Sequence, residues 1–195
     1  MTTKAAKQAA KRELSDKRFT HTVNVEKLAR QLAKLYGEDE EKAALAALLH
    51  DIAKELPRDK TLQIFKDNAI IANKAAEKPQ CVWHGIAAAI LAKTKYNVDD
   101  ELVLNAIAYH STGRANMTTL DKIIYMADMT SDDRTYPEAV TLREKALKDL
   151  DAGMIAALDT SIRWLREESK PVDEDTLCAY ESLVQQYYGG NVNGK

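Results

Sequence analysis

Ala43-Ala44-Leu45-Ala46-Ala47-Leu48-Leu49-His50-Asp51-Ile52-Ala53-Lys54 is apolar on nearly every side for seven residues and then delivers a histidine and a carboxylate side by side. A helix that is hydrophobic all round is a buried helix. The stretch 39–54, closed by Leu56-Pro57, therefore predicts the helix around which the core is built. Asp128 leaves the run Ile123-Ile124-Tyr125-Met126-Ala127 in the same manner. An unpaired buried carboxylate costs several kcal/mol even after relaxation, so both aspartates need a cationic partner. All four histidines of the chain join these aspartates in one order, His21, His50-Asp51, His84, His110, Asp128. A lone histidine on an apolar helical face is usually a satisfied core residue. Four of them, ordered around two stranded carboxylates, read instead as a metal site, because imidazole and carboxylate together suit iron, manganese and zinc.

The same helical spacing recurs outward from this stretch. From His21, the residues Val25, Leu28, Leu32 and Leu35 mark an amphipathic helix that ends near Gly37. Residues 58–78 are less regular, with short helices expected at 61–65 and 70–76 before Pro79. His84 projects from the first turn of a helix running toward Lys95. Asp99-Asp100 start another, which puts Val103, Ile107 and His110 on one side and stops at Ser111-Thr112-Gly113. Thr118 and Asp121 form a capping box before an inward stripe, Leu120 and Ile124, that ends at Asp128. Helices are expected at 142–150, 154–168 and, after Pro171, 173–188. No segment alternates as a strand does. The fold class is all-α, one domain over 18–188. It is preceded by an exposed Ala- and Lys-rich helical extension, 1–17, and followed by a mobile tail, 189–195.

Composition agrees. In 195 residues, 45% are hydrophobic and 30% charged, with only 7 Gly and 4 Pro, which excludes disorder and turn-rich all-β architectures. The net charge of −2 supplies no positive field to recruit nucleic acid or an anionic membrane. Cys81 and Cys178 lack metal-ligand spacing and no leader or long apolar run is present, so the expectation is a cytoplasmic protein with reduced thiols.

Particular strings resemble a known family: Arg18-Phe19-Thr20-His21, Ala47 through Lys54, Val82-Trp83-His84-Gly85, Ile107 through Arg114, and Ile124-Tyr125-Met126-Ala127-Asp128. Together they are similar to the HD-domain metal-dependent phosphohydrolases, and within them to the YqeK-type symmetrical dinucleoside-tetraphosphatases. The resemblance runs from about Arg18 into the final helix. It implies an HD-domain helical bundle that splits diadenosine tetraphosphate (Ap4A) into two ADP at a two-metal centre, with iron the expected metal and manganese or another transition metal the alternatives. It further implies His21, His50, Asp51 and Asp128 around one ion and Asp51, His84 and His110 around the other, so that Asp51 bridges. The implied partners are a dinucleoside polyphosphate and its nucleoside diphosphate product, with a homodimer left open. One departure concerns the loop after Asp128: where the subgroup has an acidic residue or proline-rich text before an Arg-aromatic-Pro motif, Met129 to Asp133 here precede Arg134-Thr135-Tyr136-Pro137, so the resemblance carries less for this loop's contacts than for the ligands.

A polyphosphate repels hydroxide, so its hydrolase must neutralise oxygens, generate a nucleophile and hold it in line. The chain has neither G-x-x-x-x-G-K-[ST] nor G-x-G-x-x-G, so phosphates must meet metals and side chains. Beside Asp51 as catalytic residue, Lys54 and Arg18, each about one turn from a ligand histidine, are expected to neutralise phosphate without building the metal site. Arg134 is a further candidate, and Arg143 is equally well read as a solvated charge. Thr112, Gly113, Asp132, Asp133 and Tyr136 are expected to border the nucleotide. Trp83 is either a stacking platform or core, and Cys81 reads as inert packing. Competing readings are another HD nucleotidase or phosphodiesterase, a two-iron oxygenase with similar ligands, and a non-catalytic nucleotide sensor.

Overall fold

Asp39 caps the helix that organises the molecule, its carboxylate accepting from the amides of Glu41 and Lys42. In the computed structural model, which describes residues 1–69 and 74–189, this helix is α3 (Glu40–Leu49). It follows α1 (Thr3–Glu13) and α2 (Asp16–Tyr36), and precedes α4 (Arg58–Asp67), α5 (Trp83–Thr94), α6 (Glu101–Ala108), α7 (Thr119–Thr130), α8 (Glu138–Lys148), α9 (Leu150–Glu167) and α10 (Glu174–Gly189). Short 3-10 turns at Ala75–Glu77 and Gln80–Val82 lead into α5, and no strand occurs among the described residues. Because Ala43, Ala44, Ala46 and Ala47 are small, α1, α2, α5, α6 and α7 all pack against α3. The fold is the expected all-α bundle, with the histidine and aspartate cluster in its core.

α3 ends at Leu49, five residues short of the expected Lys54. The His50 Nδ1–H donates to the Ala47 carbonyl at 2.6 Å, the group that the Asp51 amide would take in a continuing helix. The chain then tightens into turns, with Ile52, Lys54 and Leu56 amides donating to Leu49, Asp51 and Ala53 carbonyls. His50 and Asp51 thus escape the roughly 100° separation that helical neighbours have and converge. Their closest approach, from Nε2 to Oδ2, is 3.4 Å.

The first helix is not an exposed extension. Ala6, Ala9 and Ala10 are fully buried, and α1 lies on α3. Its apolar stripe is narrow, but alanines permit close approach, and the rims are tied by Lys7 to Glu26 and by Lys95 to Glu13, each at 2.8 Å. The helix expected at 61–65 extends over all of α4. That expected at 70–76 falls partly outside the described residues, with 75–77 a 3-10 turn. Of the tail 189–195, only Gly189, the last residue of α10, is described.

α7 opens with the capping box, Thr118 and Asp121 exchanging hydrogen bonds at 2.9 and 3.2 Å. Arg114 pairs with the buried Asp121 at 2.7 Å. α8 and α9 cover α7 from the other side and α10 packs on α9, with Met154, Leu158 and Leu183 fully buried. No described helix is long and apolar enough to cross a membrane.

Candidate metal centre

Five elements deliver the six residues. His21 comes from α2, His50 and Asp51 from the turn after α3, His84 from the first turn of α5, His110 from the turn after α6, and Asp128 from α7. Asp51 lies between two sets of imidazoles. Its Oδ2 faces His50 Nε2 at 3.4 Å and His21 Nε2 at 4.0 Å, while its Oδ1 faces His84 Nε2 at 3.4 Å and His110 Nε2 at 3.7 Å. Asp128 adds its Oδ1 to the first set, 2.9 Å from His21 Nε2 and 3.7 Å from His50 Nε2. Among the described residues, His21, His50 and Asp51 form one candidate cation group, His50, His110 and Asp128 a second, and Asp51, His84 and His110 a third.

The imidazoles are oriented so that their lone pairs converge. His50, His84 and His110 each place Nδ1 at the backbone carbonyl three residues earlier, at 2.6, 2.9 and 2.8 Å. Donation through Nδ1 leaves Nε2 as the acceptor, the arrangement that orients a ligating histidine. His84 and His110 then direct two Nε2 lone pairs at each other across 3.0 Å, which calls for a cation between or beside them. His21 obtains the same orientation from a side chain, with Nδ1 2.8 Å from Asp133 Oδ2. Gly85 lets these parts meet: a Cβ there would lie 2.7 Å from the Ala108 carbonyl and 3.3 Å from the His110 ring.

Two buried atoms in this cluster, His50 Nε2 and Asp51 Oδ1, have no hydrogen-bond partner among the described residues. Buried polar groups are normally paired, and an orphaned imidazole nitrogen beside an orphaned carboxylate oxygen is the donor set of a metal ion. The local field agrees. Burial opposes charge on His50, but the Asp51 and Asp128 carboxylates outweigh it and raise its pKa to about 10. Burial resists ionisation of Asp51 and Asp128 as well, yet the neighbouring histidines hold both well below the usual carboxylate range. Burial, reinforced by the charge at His50, lowers His110 to about 4, and burial with His110 and Lys54 lowers His84 far below its ordinary value. Those two imidazoles stay neutral at physiological pH, as metal binding requires.

Lys54, Arg18 and Arg134 reach the cluster more closely than their spacing implied. Arg18 Nη1 donates to Asp51 Oδ2 at 2.9 Å, and Lys54 Nζ, turned inward by the tightened chain after Leu49, lies 3.0 Å from His84 Nε2. Arg134 contacts Asp128 through its backbone carbonyl, at 2.7 Å, and its carboxylate. Tyr136 bonds the Met129 carbonyl and lines, with Arg134, Asp128 and His110, a cavity of about 630 Å³. Thr112 and Gly113 are not among the residues lining it. Thr112 bonds the Gly113 carbonyl, and Gly113, at φ +71°, packs against Ala179, Met117 and Leu158, so Ser111 takes their expected place. Arg143 and Asp132 pair with each other at 2.6 Å rather than with the cluster. Trp83 is core, its Nε1 donating to the Lys78 carbonyl and its ring edge-on to Phe65, whereas Cys81 is exposed. Spacing could not reveal the parts played by Asp133, which works from a loop, or by the cavity walls Ser161 and Trp164 on α9.

A helical bundle with this six-residue centre defines a candidate metal-binding class, and comparison with known proteins bears on which one. The HD domain family matches residues 18–152, and the chain belongs to that family. It is 35% identical to a symmetrical bis(5'-nucleosyl)-tetraphosphatase of Bacillus subtilis, over 94% of this chain and 98% of the relative. A namesake from Halalkalibacterium halodurans is 36% identical over 92% and 95%. A crystal structure from Clostridium acetobutylicum, described as a predicted HD superfamily hydrolase involved in NAD metabolism, superposes with a TM-score of 0.89 at 34% identity, covering 95% of this chain and 98% of the other.

Proposed function

We propose that this chain is a symmetrical dinucleoside-tetraphosphatase that hydrolyses Ap4A to two ADP, with iron as its metal. The observation that carries the reading is Asp51, whose two oxygens face separate histidine sets and of which one has no hydrogen-bond partner among the described residues. The relatives' shared name supplies the substrate class. His21, His50, Asp51 and Asp128 would hold one ion and Asp51, His84 and His110 the other. When bound, such ions would neutralise phosphate oxygens and lower the pKa of water from 15.7 toward about 7.

The chain's own residues do the rest. Arg18 holds Asp51 in place at the boundary between the two sets, and Arg134 does the same for Asp128 while facing the large cavity. Lys54 offers its ammonium to phosphate beside His84. In the reaction the water oxygen bonds to the second phosphorus of the tetraphosphate, and the bond from that phosphorus to the oxygen it shares with the third phosphorus breaks. The departing bridging oxygen becomes a terminal phosphate oxygen of the second ADP, and the water proton is released. Cations at the leaving side stabilise the charge that develops there. The 630 Å³ cavity falls within the size of small-molecule sites and suits one nucleoside half. The cytoplasm, where free cysteines stay reduced, is the compartment this reading assigns.

The test is chromatography of products from iron-loaded protein and Ap4A in isotopic water. ADP should be the sole product, with label in one of each two molecules. AMP plus ATP would mean that the polyphosphate is held in another register, and no turnover at full metal loading would sink the reading.

A further inference from the structure

Two cavities reach the cluster through different ligands. The larger one meets it at His110 and Asp128. A smaller one, about 340 Å³, lies between α4, the Gln80–Val82 turn and α5, and meets it at His84 and Lys54. Since His84 and His110 stand 3.0 Å apart, both cavities abut the same pair of imidazoles.

Their electrostatics differ. The larger cavity mixes Arg134 and Arg163 with Asp128, Glu138 and Glu167. The smaller has Lys54 and Arg58 in its lining and no carboxylate. Arg58 forms no ion pair among the described residues, and its guanidinium is held 5.6 Å from the centroid of the Trp83 ring. Stacking on an aromatic face leaves the guanidinium edge, with its fork of donors, open to an anion. Thr61 and Gln80 add neutral polar groups to the same wall.

We propose that the smaller cavity is the receiving site for the second half of the substrate, the nucleoside diphosphate that departs. Lys54 stands at its junction with the cluster, and Arg58 meets the phosphates farther out. The proposal rests on the hydrolase reading above, and it assigns to two unlike cavities the two identical halves of one molecule. Negative charge grows on the departing terminal phosphate as the anhydride bond breaks, and the acid-free cavity supplies positive charge on that side.

Cys81, exposed at the wall of the smaller cavity, provides the probe. Full-length, metal-loaded Cys178→Ser protein carries it as the single thiol. Alkylation by N-ethylmaleimide is followed by mass, with and without a methylene-bridged, nonhydrolysable Ap4A analogue whose binding is measured by calorimetry on the same sample. Saturating analogue should slow alkylation of Cys81 several-fold. Arg58→Ala should weaken the analogue about tenfold and remove much of the protection, and Arg58→Lys should restore most of the affinity. Analogue that binds while Cys81 reacts at the free rate would overturn the second site and leave the hydrolase reading standing. An analogue that shows no calorimetric binding would overturn both.

Discussion

The two halves of the candidate metal centre are built from the same chemistry and held by different means. Around His84 and His110 the support is backbone: carbonyls of Cys81 and Ile107 fix the rings, and the bare Cα of Gly85 lets α5 close on the turn after α6. Around His21 and Asp128 the support is largely side chain, since Asp133 orients His21 and Arg134 grips Asp128. Asn24 in turn donates to the other Asp133 oxygen at 3.1 Å. The backbone half is therefore set by local chain geometry, whereas the other depends on a loop, residues 131–137, that substitution can retune without disturbing a helix. Asp51 belongs to both.

Removing that shared residue should have the largest effect. Asp51→Ala is expected to empty both halves and reduce Ap4A turnover roughly 1000-fold or more, and His84→Ala to empty only one. Elemental analysis of anaerobically purified variants distinguishes them, and full occupancy in Asp51→Ala would refute the bridge. Gly85→Ala comes next, because its Cβ would stand 2.7 Å from the Ala108 backbone carbonyl, so that one of the two must shift. Overpacking of this kind costs about 1–3 kcal/mol, and metal loss should be confined to the His84 and His110 half. Thermal unfolding with metal counting checks both; unchanged stability with both halves loaded would show that the backbones yield.

Lys54 sharpens the contrast from the substrate side. Lys54→Ala should lower kcat/KM for Ap4A roughly 10- to 150-fold, the worth of a charge-assisted contact, with metal content unchanged. A change within about twofold would return Lys54 to the status of a surface charge. Asp133→Ala should weaken metal binding in the His21 half alone by about 10- to 100-fold, as loss of a carboxylate behind a ligating imidazole does. Competition against a chromophoric chelator reads this directly, and equal weakening of both halves would erase the distinction between them.

The effect with the smallest change per step is one of pH. His50, raised to about 10 in the metal-free cluster, is protonated at neutral pH, and a metal must displace that proton. Affinity at this position should thus rise by up to about tenfold per pH unit from neutrality and level off above the His50 pKa. The sign for stability is opposite. With its folded pKa above the ordinary 6.5, protonated His50 stabilises the metal-free protein fully below that value, and the contribution fades as pH rises toward about 10. Chelator competition and metal-free melting curves at stepped pH should therefore run in opposite directions; parallel trends would remove His50 from the coupling.

Much of this was legible in the chain. The all-α class follows from apolar residues recurring at helical spacing, because burial of one stripe per helix is a local pattern. That these six residues form one cluster was legible from residue type and order: histidine and aspartate stranded in apolar text have few stable alternatives to a cation. The α1 face was misread because three alanines look too small to count as core, although small side chains are what close helix packing uses. For Thr112 and Gly113 the sequence does not separate two readings, because a turn that stops a helix and a turn that meets a ligand draw on the same residue types. What only the tertiary structure decided was direction: that the helix breaks after Leu49 so that His50 and Asp51 face one centre, that Asp133 reaches back to His21 across 112 positions, and that Lys54 points inward. Sequence spacing specifies which side of a helix a residue occupies. It carries no information on how separate elements are set against one another, and the site is made of those long-range placements.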